Sequence, residues 1–271
     1  MTVLLHLSDT HFGTEEAPMV EAVRRLAQAE RPQAVILSGD ITQRARSAQF
    51  AAARAFCDSL AVPHLLTLPG NHDIPLFNVA ARAFSPYAGY MAAFGRELEP
   101  QLELPQLLVV CVNTTRPSRH KDGEVSAAQV RRVVERLRGA RREQLRVVVT
   151  HQPACVMRPE DEENRLHGGE EAVQAWAAAG ADLVLGGHIH LPYVTDTCAK
   201  AGGQGRRMYC VQAGTAFSHR VRHGTPNSVN LIRWEPPREG EERMCRVERW
   251  DYDLADARFE LTHPYELAVG E

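Results

Sequence analysis

TVLLHLSDTH, residues 2–11, is an apolar run that stops abruptly at an acid and an imidazole. Its length and β-branched start read as a buried strand, with Asp9 and His11 just past its carboxyl end. Working outward, MVEAVRRLAQAE (19–30) reads as a helix that begins just after Pro18, and QAVILSGD (33–40) reads as a second strand. SAQFAAARAFCDSL (47–60) has the pattern of a helix with Ser47 placed as its N-cap, and HLLTLPGNHD (64–73) is a third strand entering a turn. This β-α-β-α-β order implies parallel strands joined by helical crossovers. The strands are nearly continuous in apolar residues, as expected when both sheet faces are covered.

The same texture continues to residue 190. Residues 76–98 read as partly helical, with a break around Pro86 and Gly89. QLLVVCVN (106–113) is a strand, and SAAQVRRVVERLRG (126–139) is a helix with a Ser126/Gln129 capping box and Gly139 at its end. LRVVVTHQP (145–153), EEAVQAWAAAG (170–180) and DLVLGGH (182–188) read as strand, helix and strand. Beyond about residue 191 the chain turns β-rich. RRMYCVQAGTAF, SVNLIRW and CRVERWDYD look like successive strands of a meander, with AKAGGQGRR (199–207) and EPPREGEE (235–242) as hairpin loops. With no repeat or linker in view, residues 1–271 are expected to form a single α/β domain.

Composition removes several function classes. A net charge of −3 gives no electrostatic footing for a nucleic-acid or membrane partner. The arginine-rich stretch RRVVERLRGARREQLR (131–146) reads as a solvated helical face. Six cysteines without a C-x-x-C pair read as reduced thiols, and Cys155 has no identifiable base to make it a nucleophile. No basic leader or apolar span is evident, which gives an expected cytoplasmic location. Oligomeric state is not legible.

The polar residues that carry chemistry stand just past the strands. Asp9 and His11 come after the first, Asp40 ends the second, and Asn71, His72 and Asp73 come after the third. His151 and then His188 and His190 close two later ones. Carboxyl ends of strands are where α/β sheets assemble sites. Were GGHIH still a strand, alternation would place His188 and His190 on one side. A set of two carboxylates, four imidazoles and one amide exceeds a single tetrahedral zinc and suits two divalent or trivalent ions sharing a carboxylate. Taken singly, each piece reads as an ordinary turn; together, histidines at every required place are hard to attribute to chance. His6 reads as packed in the first strand. Asn113, Arg116 and His120 come after a strand and read either as a polar loop or as a substrate-contacting rim. His219, Arg220, Arg222 and His223 in SHRVRHG read as surface residues or as groups approaching a phosphate.

The series D-x-H, G-D, G-N-H-D, H, G-H-x-H over residues 3–190 resembles the calcineurin-like metallophosphoesterase superfamily. GDITQRA and GNHDIP further resemble its class III cyclic-nucleotide phosphodiesterase branch. The resemblance implies two packed mixed β-sheets flanked by helices, a four-layer αββα sandwich. It implies one ion held by Asp9, His11, Asp40 and His190, and another held by Asp40 as bridge, Asn71, His151 and His188, the metals being Mn, Fe or Zn. Asn71 and His72 would contact the phosphate, with His72 also near the leaving group, while a metal-held hydroxide attacks phosphorus in line. The implied substrate is a small phosphodiester, with a 3',5'-cyclic nucleotide first. Phosphomonoester and nucleotide or lipid pyrophosphate hydrolysis remain alternatives, and a non-catalytic metal-binding scaffold is the alternative from another class. A mononuclear iron oxygenase would leave ligands unused. Thr150 stands where relatives often carry glycine or a second histidine, a departure that concerns the substrate environment.

Overall fold

A computed structural model describes residues 1–197 and 206–270. The first sheet has the order β12 (Arg258–Ala268), β11 (Met244–Asp253), β10 (Ser228–Trp234), β1 (Thr2–Leu7), β2 (Ala34–Leu37), β3 (His64–Thr67), and the second β4 (Gln101–Leu104), β5 (Leu107–Cys111), β6 (Leu145–Val149), β7 (Leu183–Gly186), β9 (Tyr209–Gln212), β8 (Tyr193–Asp196). In the first, β1 (Thr2–Leu7), β2 (Ala34–Leu37) and β3 (His64–Thr67) run parallel, joined by α1 (Ala17–Glu30) and α2 (Ser47–Ser59). In the second, β5 (Leu107–Cys111), β6 (Leu145–Val149), β7 (Leu183–Gly186) and β9 (Tyr209–Gln212) are parallel, with α5 (Ala127–Arg138) and α6 (Gly169–Ala178) as crossovers.

Three apolar layers explain the unbroken strands. Leu4, Ile36, Leu66, Val109, Val147 and Leu185 meet between the sheets. Leu5, Leu7, Val35 and Leu37 point the other way, onto α1 and α2, and Val110, Val148 and Val184 onto α5 and α6. Alternate residues thus serve different layers, and the arrangement is the four-layer αββα sandwich that the family resemblance implies.

Several local expectations need correction. Ser47 is the first helical residue of α2 rather than its cap, which falls at Arg46; Gln49 Oε1 accepts from Arg44 N at 2.9 Å and closes that end instead. Pro18 lies inside the first turn of α1, where its missing N–H is harmless. The Ser126/Gln129 box is present, with Ser126 Oγ accepting from Gln129 N at 3.2 Å. The 76–98 segment forms α3 (Val79–Phe84) and α4 (Ala88–Phe94), broken at Pro86, with Gly89 inside α4.

The C-terminal part is not one meander. β9 joins the second sheet, whereas β10 (Ser228–Trp234), β11 (Met244–Asp253) and β12 (Arg258–Ala268) form an antiparallel meander on β1 of the first. The edge strands β4 (Gln101–Leu104), β8 (Tyr193–Asp196) and β12 are not evident in the sequence. Of these, β4 and β12 mix exposed and half-buried positions that weaken the apolar signal. The loop at 235–242 does join β10 to β11. Most of the expected loop at 199–207, with Cys198, lies outside the described residues.

Candidate metal centre

All seven donor residues come after parallel strands, so the two sheets deliver them to one edge of the sandwich. Five of them hold left-handed backbone: Asp9 (φ 53°), His11 (43°), Asp40 (46°), His188 (74°) and His190 (56°). Such conformations cost about 1–3 kcal/mol each and persist where the surroundings over-determine them. Here they turn the chain sharply after a strand, which brings each side chain back over the edge. β7 ends at Gly186, so strand alternation does not govern His188 and His190. The two imidazoles join different groups, His190 with Asp9 and His11, and His188 with Asp40 and His151.

The donor atoms of each group lie within 4.8 Å of one another. His190 Nε2 is 3.2 Å from Asp9 Oδ1 and 3.2 Å from His11 Nε2. On the other side, His151 Nε2 is 3.2 Å from Asp40 Oδ1 and 3.2 Å from Asn71 Oδ1. Asp40 Oδ2 faces His11 Nε2 and His72 Nε2, both at 4.0 Å. His151 Nδ1 lies 2.9 Å from the Ser38 carbonyl; donating there leaves the Nε2 lone pair toward the cluster, the usual support for a metal-binding imidazole. Asp9 Oδ1 is buried without a hydrogen-bond partner. An orphaned carboxylate oxygen beside converging imidazoles fits a cation.

Electrostatics agree. Burial pulls His11 and His188 down to about 3, so both rings are neutral. Burial also opposes charge on His151, yet Asp40 outweighs it and leaves that ring at about 9. His190 is likewise raised, by Asp9 against burial. Asp9 and Asp40 resist the upward pull of burial and stay well below the ordinary carboxylate range because of His190 and His151 respectively. The His151–Asp40 and His190–Asp9 contacts therefore lie at the places where cations would stabilise the two buried carboxylates more strongly.

A second set of residues holds the donors in place. Asp73 accepts from Gly70 N (2.8 Å), Ile41 N (3.0 Å), Thr42 N (2.7 Å) and Thr42 Oγ1 (2.8 Å), which locks the Asp40 turn to the GNHD turn. Gly187 is required by close approach: a Cβ there would fall 1.9 Å from Ser8 Oγ and 2.4 Å from Asp9 Oδ2.

The calcineurin-like phosphoesterase profile matches residues 2–192, the whole span from β1 to just past the paired histidines. The chain belongs to this family. It is 38% identical over 82 residues to glycerophosphodiester phosphodiesterase GpdQ of Enterobacter lignolyticus, a match spanning 26% of this chain and 29% of that relative. The fold is similar to that of a purple acid phosphatase from yellow lupin (Lupinus luteus) seeds, with TM-score 0.71 and 12% identity over 98% of this chain and 53% of that one. A dimetal phosphatase from Danio rerio matches with TM-score 0.67 and 12% identity over 99% of each chain.

In this calcineurin-like phosphoesterase the donor cluster opens into a cleft of about 540 Å³. His72 stands at its wall: Nδ1 is 3.0 Å from the Gln43 carbonyl, and Nε2 is 3.3 Å from Arg220 Nη1. His120 lines the cleft, but Arg116 does not. Its guanidinium is taken by the Asn113 and Thr115 carbonyls (3.1 and 2.9 Å) and Gln129 Oε1 (2.8 Å), which ties the 113–116 loop to α5. Thr150 is buried with its hydroxyl on the Gln152 carbonyl at 2.9 Å, away from the cleft. His219 and His223 are exposed and do not line it, whereas Arg220 and Arg222 do. The 3-10 helix Pro159–Asn164, with Glu160, Asp161 and Glu163, supplies the facing wall; no motif in the sequence marks it. His6 packs inside β1 as expected, 2.8 Å from Ser38 Oγ. No helix among the described residues is long and apolar enough to cross a membrane.

Proposed function

We propose that the protein is a two-metal phosphoesterase acting on small phosphodiesters. The divided Asp40 carboxylate carries this reading: Oδ1 faces His151 at 3.2 Å while Oδ2 faces His11 at 4.0 Å, the disposition of a bridging ligand between two donor sets. In this reading Asp9, His11, Asp40 and His190 hold one cation, and Asp40, Asn71, His151 and His188 the other. The donor mixture accepts Mn, Fe or Zn. When bound, the cations supply ionised water at neutral pH and neutralise charge gathering at phosphorus.

The chain's own residues do the rest. Arg220, steadied by Gln43 Oε1 at 2.8 Å and standing beside His72, binds the phosphoryl oxygens in the cleft. His72 is held through Nδ1 by the Gln43 carbonyl, so Nε2 is the atom presented to the departing oxygen; carrying protons on both nitrogens, the ring gives that oxygen its Nε2 proton and is left neutral. Asn71 orients the same phosphate from the GNHD turn.

A diester substrate is supported by the name of the partly similar relative, a glycerophosphodiester phosphodiesterase. The cleft wall favours a small polar alcohol over a nucleoside: charged and polar residues line it with Ile189, and none of its lining residues is Phe, Tyr or Trp to stack a base. Metal analysis with a panel of glycerophosphodiesters, cyclic AMP, bis(p-nitrophenyl) phosphate and the monoester tests this. Two ions per chain and preference for diesters are expected. One ion per chain, or the monoester turned over best, would refute the reading.

A further inference from the structure

At the far end of the sandwich lies a second cavity, of about 550 Å³, lined by Arg142, Arg146, Arg206, Arg207 and Arg243 with Glu241 and Glu242. Arg146 stands near the start of β6 and His151 past its end, so the cavity and the donor cluster are separated by five residues of extended chain, on the order of 16 Å. Arg142 and Arg146 belong to the arginine run whose simplest reading is a solvated face; past Gly139 that run leaves α5 and turns into the cavity instead.

One buried carboxylate holds two of these arginines from behind the cavity wall. Asp182 takes Arg206 Nη2 at 2.5 Å, Arg243 Nη2 at 2.7 Å and Arg146 N at 2.9 Å. Its ion pairs are with Arg206 and Arg243, and among the described residues it pairs with no other guanidinium group. Glu241 is partly spent on its own turn, accepting from Arg238 N at 3.0 Å. Among the described residues, Arg142, Arg146 and Arg207 make no ion pair with a carboxylate. Arg243 is fixed further by the Gln144 carbonyl at 3.1 Å and by its position 4.8 Å over the Trp234 ring. Burial, with the Arg243 and Arg206 charges, pulls the Arg146 guanidinium below its ordinary value despite Asp182. Arg146 Nε and Arg243 Nε are buried without partners. Five arginines and two glutamates line this concave, pre-formed site, and with the buried Asp182 counted against two of the arginines a positive surplus still remains that a multivalent anion would neutralise.

The geometry points to a second, non-catalytic binding site here for a linear oligophosphate, whose successive charged groups match guanidinium groups spread around one wall. Its lining holds no aromatic side chain and only Ala268, Val269 and Gly270 as non-polar residues, so the phosphate chain rather than a base is what it recognises.

Isothermal titration of the metal-loaded protein with sodium tripolyphosphate tests the site, with the rim variant R142E/R207E as comparison. Metal chelation by the titrant is common to both proteins, and their difference isolates the cavity. Saturable binding is expected, weakened at least roughly tenfold in the variant and falling as salt is raised, while the ligand-free Tm stays unchanged. Orthophosphate should bind more weakly and ATP about as well as tripolyphosphate. No binding, equal binding by wild type and R142E/R207E, or binding of ATP alone would overturn the site. The readout is independent of any phosphoesterase activity.

Discussion

The backbone N–H of His188 donates to Asp9 Oδ2 at 2.9 Å. One oxygen of this carboxylate therefore secures the GGHIH turn, and the other, Oδ1, is buried 3.2 Å from His190 Nε2 and 3.8 Å from His11 Nε2. Replacing Asp9 by Asn keeps an acceptor for His188 but puts an amide where a cation needs an anionic oxygen. Asp9→Asn should reduce bound metal from two ions to one, with the fold retained. Elemental analysis against protein concentration reads this, and two ions in the variant would remove Asp9 from the donor set.

Asp40 lies between both groups, so its loss should be more severe. Asp40→Ala is expected to impair binding of both ions and to abolish turnover. Retention of one full-affinity ion in that variant would show that the carboxylate does not bridge.

His72 contributes differently. Its Nδ1 is directed at the Gln43 carbonyl and its Nε2 at the cleft, beside Arg220. His72→Ala should keep both metals and lower kcat by about 10²–10⁴-fold, the usual weight of a general acid. Arg220→Ala should instead raise KM along with a smaller fall in kcat, by roughly 10- to 100-fold in kcat/KM, the cost of one charged hydrogen bond. Metal loss in His72→Ala, or unchanged kinetics in Arg220→Ala, would undo this division of labour.

The approach of Gly187 to Asp9 leaves no space for a methyl group. Gly187→Ala should destabilise the fold by about 1–3 kcal/mol through overpacking and lower metal occupancy by displacing Asp9. A variant with wild-type Tm and full occupancy would contradict the contact.

His6 gives a pH signature separate from the donors. Burial pulls it to about 3, so the folded protein keeps it neutral while the unfolded chain protonates it near 6.5. Between those values the unfolded state holds the extra proton, and stability falls as pH falls. Urea unfolding of chelated protein should show a shallower decline from pH 7 to 5 in His6→Asn than in wild type, by up to about 1.4 kcal/mol per pH unit. Identical slopes would mean that His6 is protonated in the folded state.

Much of this was readable along the chain because both sheet faces are covered. Leu4, Leu5 and Leu7 alternate between two apolar layers, so the strand announces itself as an unbroken run, and the donor residues stand out against it. The mixed strands β4 and β12 lack that contrast, and β9 carries no local sign of which sheet will claim it. Arg116 and Arg220 look alike as arginines in polar loops, yet one is consumed by the Asn113 and Thr115 carbonyls and the other stands beside His72.

The order and kind of the donors, and their position after strands, are fixed by the sequence, since apolar runs dictate where strands end. Which imidazole joins which carboxylate, that Arg220 and the 159–164 wall frame the cleft, and that five arginines line one cavity were decided only by tertiary structure. The reason is physical: hydrophobic periodicity is a local property of the chain, whereas charge pairing and cavity shape depend on segments brought together only by packing of the two sheets.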